Sequence, residues 1–206
     1  MERVIRFFNF LEAHNGFVTA LGTFVIAIFT VILALATIEL KKLGEQQANS
    51  SITQLRAYVF LDKDQIAENL RVAVGEVPAG MFRFNNFGLT PANNLLVHIN
   101  SGVGPWPLPE NAKLPLPTQT KGTQVAPPGA VTLWPLEPQG RPVPAEDFEE
   151  IKGGNARFYV WGRATYTDVF GKDRFTNFCL AVVPPTDPRS GSGYGFIRCP
   201  IHNDYN

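Results

Sequence analysis

Charge is missing from one long stretch of this chain. Residues 17–38, FVTALGTFVIAIFTVILALATI, are 22 positions without Asp, Glu, Lys or Arg. A core helix of a soluble protein usually keeps a polar stripe, and here only Thr interrupts the apolar side chains. Proline is absent from residues 1–77, although the chain carries 17. Glycine is nearly absent there too, with only Gly16, Gly22 and Gly44 before Gly75. A start without helix breakers suits one continuous helix, and the Pro- and Gly-rich remainder suits short strands joined by turns. Two cysteines exclude a disulfide-rich scaffold. An excess of basic charge is also missing, since 18 Lys and Arg face 18 Asp and Glu. That excludes a generally basic nucleic-acid binder. Only disorder is excluded by an abundance, the 45% of hydrophobic residues.

The uncharged stretch reads as a membrane span. At about 1.5 Å per residue it reaches roughly 33 Å, enough for a hydrocarbon core of about 30 Å. Arg3, Arg6 and the Ala34-Leu35-Ala36 triplet offer a cleaved signal peptide as the alternative. The stretch is longer than the apolar core of a signal peptide, so an uncleaved single-pass anchor is expected. The organisation expected is a tail over 1–15, a transmembrane helix over 16–40, a helical stalk over 41–56 and a β domain over 57–206. In the tail, ERVIRFFNFLE suits a short interfacial helix that inserts Phe7, Phe8, Phe10 and Leu11.

Gly16, Ala20, Thr23, Ala27, Thr30, Ala34 and Thr37 recur at alternating steps of four and three, which places them on one helix face. Ten residues of 16–38 are Gly, Ala or Thr, and seven of them lie on this seam. Small residues let two helix backbones approach in lipid, where apolar bulk gives no drive to associate. The seam is therefore expected to pack helices, in a homo-oligomer or against another membrane protein. Gly44, Ala48, Ser51 and Leu55 continue the rhythm past the membrane, with Lys41 as an exception. Orientation is weakly specified: Arg3 and Arg6 stand on one side, Lys41 and Lys42 on the other. The slight lean is toward a cytoplasmic soluble domain.

From residue 57 the pattern changes to strands. AYVFL at 57–61, residues 81–87, residues 94–100 and a run near 131–134 carry strand signals. ARFYVWGRATYTD, VFGKD and RFTNFCLAVVP form a long hairpin with Gly171 in its turn. In it Val160, Ala164 and Tyr166 share one parity, and Tyr159, Trp161 and Arg163 the other. One helix is legible in PAEDFEEIKGG, with Pro144 before it, acids in its first turn and Gly153-Gly154 to stop it. The fold class expected is an N-terminal transmembrane helix followed by an antiparallel β-sandwich with one short helix.

Asn86-Phe87-Gly88-Leu89-Thr90-Pro91-Ala92 gives the pattern N-x-G-x-T-P-A. With Arg56-Ala57-Tyr58-Val59 after the span, and the run from Tyr166 through Asp168, Gly171, Arg174 and Thr176 to Phe178, it resembles uncharacterised bacterial membrane-anchored proteins with immunoglobulin-like sandwich domains. The resemblance covers the span and patches of the soluble half, but not residues 101–150. It implies an inner-membrane protein of that architecture and no particular activity. On the residues alone, Asn86, Gly88, Thr90 and Pro91 read as an inter-strand turn, with Asn86 and Gly88 bending the chain through side-chain bonding and positive φ.

Candidate chemistry is sparse. There are three His, and no H-E-x-x-H, P-loop or G-x-S-x-G pattern. GSGYGF at 191–196 lacks a strand-then-helix frame and reads as a flexible turn. Cys179, Cys199, His202 and His98 supply zinc-ligand types without a second close pair. A Cys179–Cys199 disulfide is the alternative, and it requires an oxidising compartment. Arg163, Tyr166, Asp168, Asp173 and Arg174 form a polar cluster on the hairpin, suited to cross-strand pairing or to a ligand. Glu146, Asp147, Glu149 and Glu150 read as the solvated face of the short helix. GPWPLP at 104–109 and residues 114–117 suit a rigid surface loop or a polyproline ligand. No cofactor and no metal are expected. The function expected is a non-enzymatic membrane-anchored interaction module. The alternative is a membrane-tethered ligand sensor or hydrolase whose site shows no motif.

Overall fold

The computed structural model describes residues 15–62, 65–116, 122–136, 141–183 and 194–206. The expected interfacial helix of the N-terminal tail lies outside them. The chain divides into two compact units, Met1–Thr53 and Gln54–Asn206.

The first unit is helical. Helix α1, Asn15–Leu55, is unbroken over 41 residues, about 60 Å of rise. Span and stalk are therefore one helix, as the absence of Pro allows. It is long and apolar enough to cross a membrane, and its most apolar window is 0% buried.

The second unit holds two antiparallel sheets. In the first, β3 (Ala79–Asn86) is central. On one edge it pairs with β1 (Val59–Leu61) and then β2 (Ala67–Arg71), Leu61 opposite Phe84 and Ala67 opposite Phe82. On its other edge lies β6 (Val131–Pro135), Trp134 opposite Phe82. The second sheet runs β5 (Gln124–Ala126), β4 (Ala92–Pro105), β7 (Ala156–Thr167), β8 (Asp173–Val183) and β9 (Gly195–Arg198). Helix α2, Ala145–Gly153, begins after Pro144 and is closed by Gly154 at φ 83°. The left-handed conformation is cheap only for glycine, so the helix stops there.

Alternation buries one face of each strand in a common core. Phe82 and Phe84 of β3, Leu95, Val97 and Ile99 of β4, and Phe158, Val160, Ala164 and Tyr166 of β7 all lie in it. Phe84 meets Phe178 of β8 edge-on at 5.3 Å between ring centroids. Each such ring contributes on the order of 2–3 kcal/mol by leaving water.

A second, smaller core lies on the opposite face of β7 and β8. Tyr159, Trp161, Cys179 and Ala181 are covered by Leu108, Trp106, Ala112 and Leu114 from the loop after β4, and by Cys199 and Ile201. Tyr159 Oη donates to Pro105 O at 2.7 Å, and Trp161 Nε1 donates to Pro115 O at 2.9 Å. The described part of the proline-rich loop is thus a lid on the sheet. Both parities of β7 are buried over 158–162, and alternation resumes only from Arg163.

Candidate functional site

The seam residues Gly16, Ala20, Thr23, Ala27, Thr30, Ala34 and Thr37 are all exposed along α1. Their hydroxyls are not idle. Thr23 donates to Thr19 O at 2.9 Å, Thr30 to Ile26 O at 2.8 Å and Thr37 to Leu33 O at 2.7 Å. Each hydroxyl is satisfied one turn back in its own helix, which leaves no unmet threonine O–H on this small face.

The motif at 86–92 is built around a buried side chain. Asn86 Oδ1 accepts from Tyr58 N at 3.1 Å and from Gly88 N at 3.0 Å. Its Nδ2 donates to Thr90 O at 2.8 Å and to Ala126 O at 2.9 Å. One amide therefore ties the end of β3 to the approach to β1, to its own turn and to β5. Gly88 does not have the expected positive φ, which is confined to Gly75, Gly129, Gly154 and Gly171 among the described glycines. What it supplies is room. A Cβ there would collide with Arg56 O and lie 2.6 Å from Ala57 Cα and 2.7 Å from Tyr58 N. The motif is thus a packing joint for the segment that follows α1.

The hairpin cluster separates into two layers. Asp168 is 2% exposed and caps the turn. Its Oδ1 accepts from Phe170 N at 2.9 Å and Lys172 N at 3.0 Å, and its Oδ2 accepts from Arg174 Nε at 2.9 Å. Burial pushes this carboxyl's pKa up. The Lys172 and Phe170 amides and the Arg174 guanidinium outweigh it and hold the pKa below the ordinary value. Tyr166 is buried in the core and its hydroxyl donates to Ala57 O at 3.1 Å. Burial, opposed by hydrogen bonding and nearby cations, keeps that phenol above its usual range. Gly171, at φ 74°, makes the turn itself as expected.

Arg163 and Asp173 belong to the outer layer. Arg163 Nε donates to Asn177 Oδ1 at 2.7 Å, and its guanidinium lies 4.8 Å from the Phe175 ring centroid. Asp173 Oδ1 accepts from Thr167 Oγ1 at 3.2 Å. With Asn94, Thr165, Thr167, Arg174, Phe175 and, at the margin, Asn206, they line an open groove of about 400 Å³ on the second sheet. Sequence reasoning missed Asn94. It sits at φ 52° in a bulge of β4, between the paired residues Asn93 and Leu96. A strict alternation reads straight through such a bulge.

Cys179 and Cys199 are bonded to each other, with Cα atoms 5.3 Å apart, and so are not free as zinc ligands. His202 instead stands 3.2 Å from Gly162 O through Nε2. Among the described residues no group of three or more His, Cys, Asp and Glu is placed to hold a metal ion. The pair anchors a C-terminal strap. Asn203 Oδ1 accepts from Cys179 N at 3.2 Å, Asn177 N donates to Asp204 O at 2.8 Å, and Phe175 N donates to Asn206 Oδ1 at 2.8 Å.

The GSGYGF run is corrected in part. Residues 191–193 lie outside the described ones, but Gly195 and Phe196 belong to β9, paired with Val183 and Val182. On α2 the acids stay at the surface, where Glu149 pairs with Lys152 at 2.7 Å. No protein-family model matches this chain, no curated protein matches it in sequence, and no solved structure matches its fold.

Proposed function

We propose that this chain is a non-enzymatic, membrane-anchored binding module of a bacterial inner membrane. In this reading α1 crosses the bilayer and packs through its seam against a second copy or another membrane protein. The β unit, an immunoglobulin-like sandwich of the kind the sequence resemblance implies, presents its surface to a partner. The observation that carries the reading is the seam itself: seven small residues on one exposed helix face, with all three threonine hydroxyls spent on their own helix. A face with satisfied hydroxyls and no bulk favours close helix approach.

The reading of the membrane side leans on a different feature. The Cys179–Cys199 bond persists in an oxidising compartment and not in a reducing cytosol. The Lys and Arg residues flanking the span are nearly balanced and oppose neither orientation strongly. The disulfide supports a β unit on the periplasmic side in this reading, against the slight lean that the charges alone give.

Crosslinking of the full chain in membranes tests the packing. Ala27→Leu puts bulk on the seam and is expected to weaken association by about 1–2 kcal/mol, while Ile28→Leu, off the seam, leaves it unchanged. Thr30→Val is expected to be mild, because that hydroxyl serves Ile26 O. Equal association of the Ala27→Leu and Ile28→Leu chains would reduce α1 to a plain anchor.

A further inference from the structure

The outer face of the second sheet is covered at one end and open at the other, where Asn206 stands at the margin. The loop after β4 and the Cys199 segment seal Tyr159 and Trp161. Beyond them Arg163, Thr165 and Thr167 on β7, Phe175 on β8 and Asn94 on the β4 bulge face an open groove of about 400 Å³. The floor of this groove is held in place. Arg163 is fixed at two points, through Nε by Asn177 at 2.7 Å and across its plane by Phe175 at 4.8 Å. Among the described residues it makes no ion pair. The acids nearby are engaged elsewhere: Asp168 with Arg174 at 2.9 Å, Asp173 with Thr167 at 3.2 Å, and Asp204 with Asn177 at 2.9 Å. A guanidinium with its Nε and its face already occupied keeps its terminal N–H fork for a planar acceptor.

We infer that this groove binds a carboxylate, gripped by the Arg163 fork and flanked by the side-chain amide of Asn94. The charge count selects this chemistry over phosphate. A dianionic phosphate calls for a second free cation, whereas Arg174 is committed to Asp168 and Asp173 adds a negative charge at the rim. A singly charged, planar group fits one fork among neutral donors. The carboxylate comes either from a free organic acid or from an acidic side chain of a peptide. One exposed ion pair supports only weak binding, in the millimolar range for a single group. The inference rests on the β unit being a binding module, but not on helix packing.

The test is calorimetric titration of the full chain in nanodiscs of uncharged phosphatidylcholine at low salt. The probes are succinate, the blocked tripeptide acetyl-Ala-Glu-Ala-amide, and inorganic phosphate. Saturable binding of either carboxylate is expected, with phosphate at least about tenfold weaker. Succinate alone would mark a free acid as the ligand, and the tripeptide alone an acidic peptide. Arg163→Gln is expected to abolish the binding, and Arg163→Lys to weaken it by about tenfold because an ammonium cannot form two parallel bonds. Asn94 is exposed, so Asn94→Asp leaves the fold alone and is expected to weaken binding several-fold by repulsion. The Ala27→Leu chain is expected to bind as the parent does, which separates this inference from the fate of the seam. No saturable carboxylate binding up to tens of millimolar, unchanged binding by Arg163→Gln and Asn94→Asp, or tighter binding of phosphate would each overturn it.

Discussion

Asn86 uses its whole side chain at once: two acceptor contacts, to Tyr58 N and Gly88 N, and two donor contacts, to Thr90 O and Ala126 O. Truncation strands four backbone groups, so Asn86→Ala is expected to cost about 3 kcal/mol or more in urea unfolding. Asn86→Asp keeps the acceptor side and sets a carboxylate against two carbonyls, and it is expected to cost at least as much. Gly88→Ala must push a methyl into backbone at 57 and 58, and about 2–3 kcal/mol of destabilisation is expected. The turn was legible from N-x-G-x-T-P. The reason for its glycine was not, because a contact with Arg56, Ala57 and Tyr58, far upstream in the chain, leaves no local signal. Asp168 gives a pH prediction. Its folded pKa lies below the unfolded value of about 3.9, so its contribution is fully present above that value. As pH falls through the lower, folded pKa the contribution is lost. The melting-temperature advantage of the parent over Asp168→Asn should therefore be constant from pH 7 to about 5 and close below about pH 4. An advantage that persisted undiminished at pH 2 would assign the effect to packing and not to charge.

Among the elements, the hairpin of β7 and β8 was the most legible, and its parities explain why. Val160, Ala164 and Tyr166 turn to the main core, while Tyr159 and Trp161 turn to the second core under the proline-rich loop. Three strands left weaker traces. Strand β2, AENLR, carries three polar side chains and a bulge near Asn69 at φ 52°, so its alternation is broken. Strand β5 is three residues long and β9 four, and β9 begins on a glycine within a run that reads as a turn. Such edge strands are specified by the neighbour they pair with, not by their own composition. The strap after β9 follows the same logic: a disulfide holds what little apolar area cannot. Cys179 and Cys199 are 20 residues apart, and a loop of that size gives roughly 3 kcal/mol by restricting the unfolded chain. A Cys179→Ala, Cys199→Ala chain is expected to unfold at lower urea by that amount, and reductant should bring the parent to the same midpoint. A parent whose midpoint ignores reductant would show the thiols to be unpaired in the protein as prepared.

The whole molecule joins an exposed apolar helix to a β unit with its own core, and the two carry different kinds of information. The helix announces itself in composition, because 22 residues without charge are long and apolar enough to cross a membrane. The β unit announces its strands but not its groove, since a groove on a sheet face takes residues from β4, β7 and β8 that no spacing rule links. Orientation falls between these. Flanking charges give a near tie, and the pairing of Cys179 with Cys199, which is a tertiary fact, is what the proposed periplasmic side rests on. Two C-terminal fusions in a bacterial host turn this into a measurement. Alkaline phosphatase needs its own disulfides and is active only outside the cytoplasm, whereas a cytosol-maturing fluorescent protein is bright only inside. An active phosphatase fusion and a dark fluorescent fusion are expected. The parent should then migrate faster on a gel without reductant than with it, because the closed loop keeps the denatured chain compact. The Cys179→Ala, Cys199→Ala chain should show no such shift. A bright fluorescent fusion with an inactive phosphatase would place the β unit in the cytosol, where that bond would not last, and would return the strap to hydrogen bonds alone.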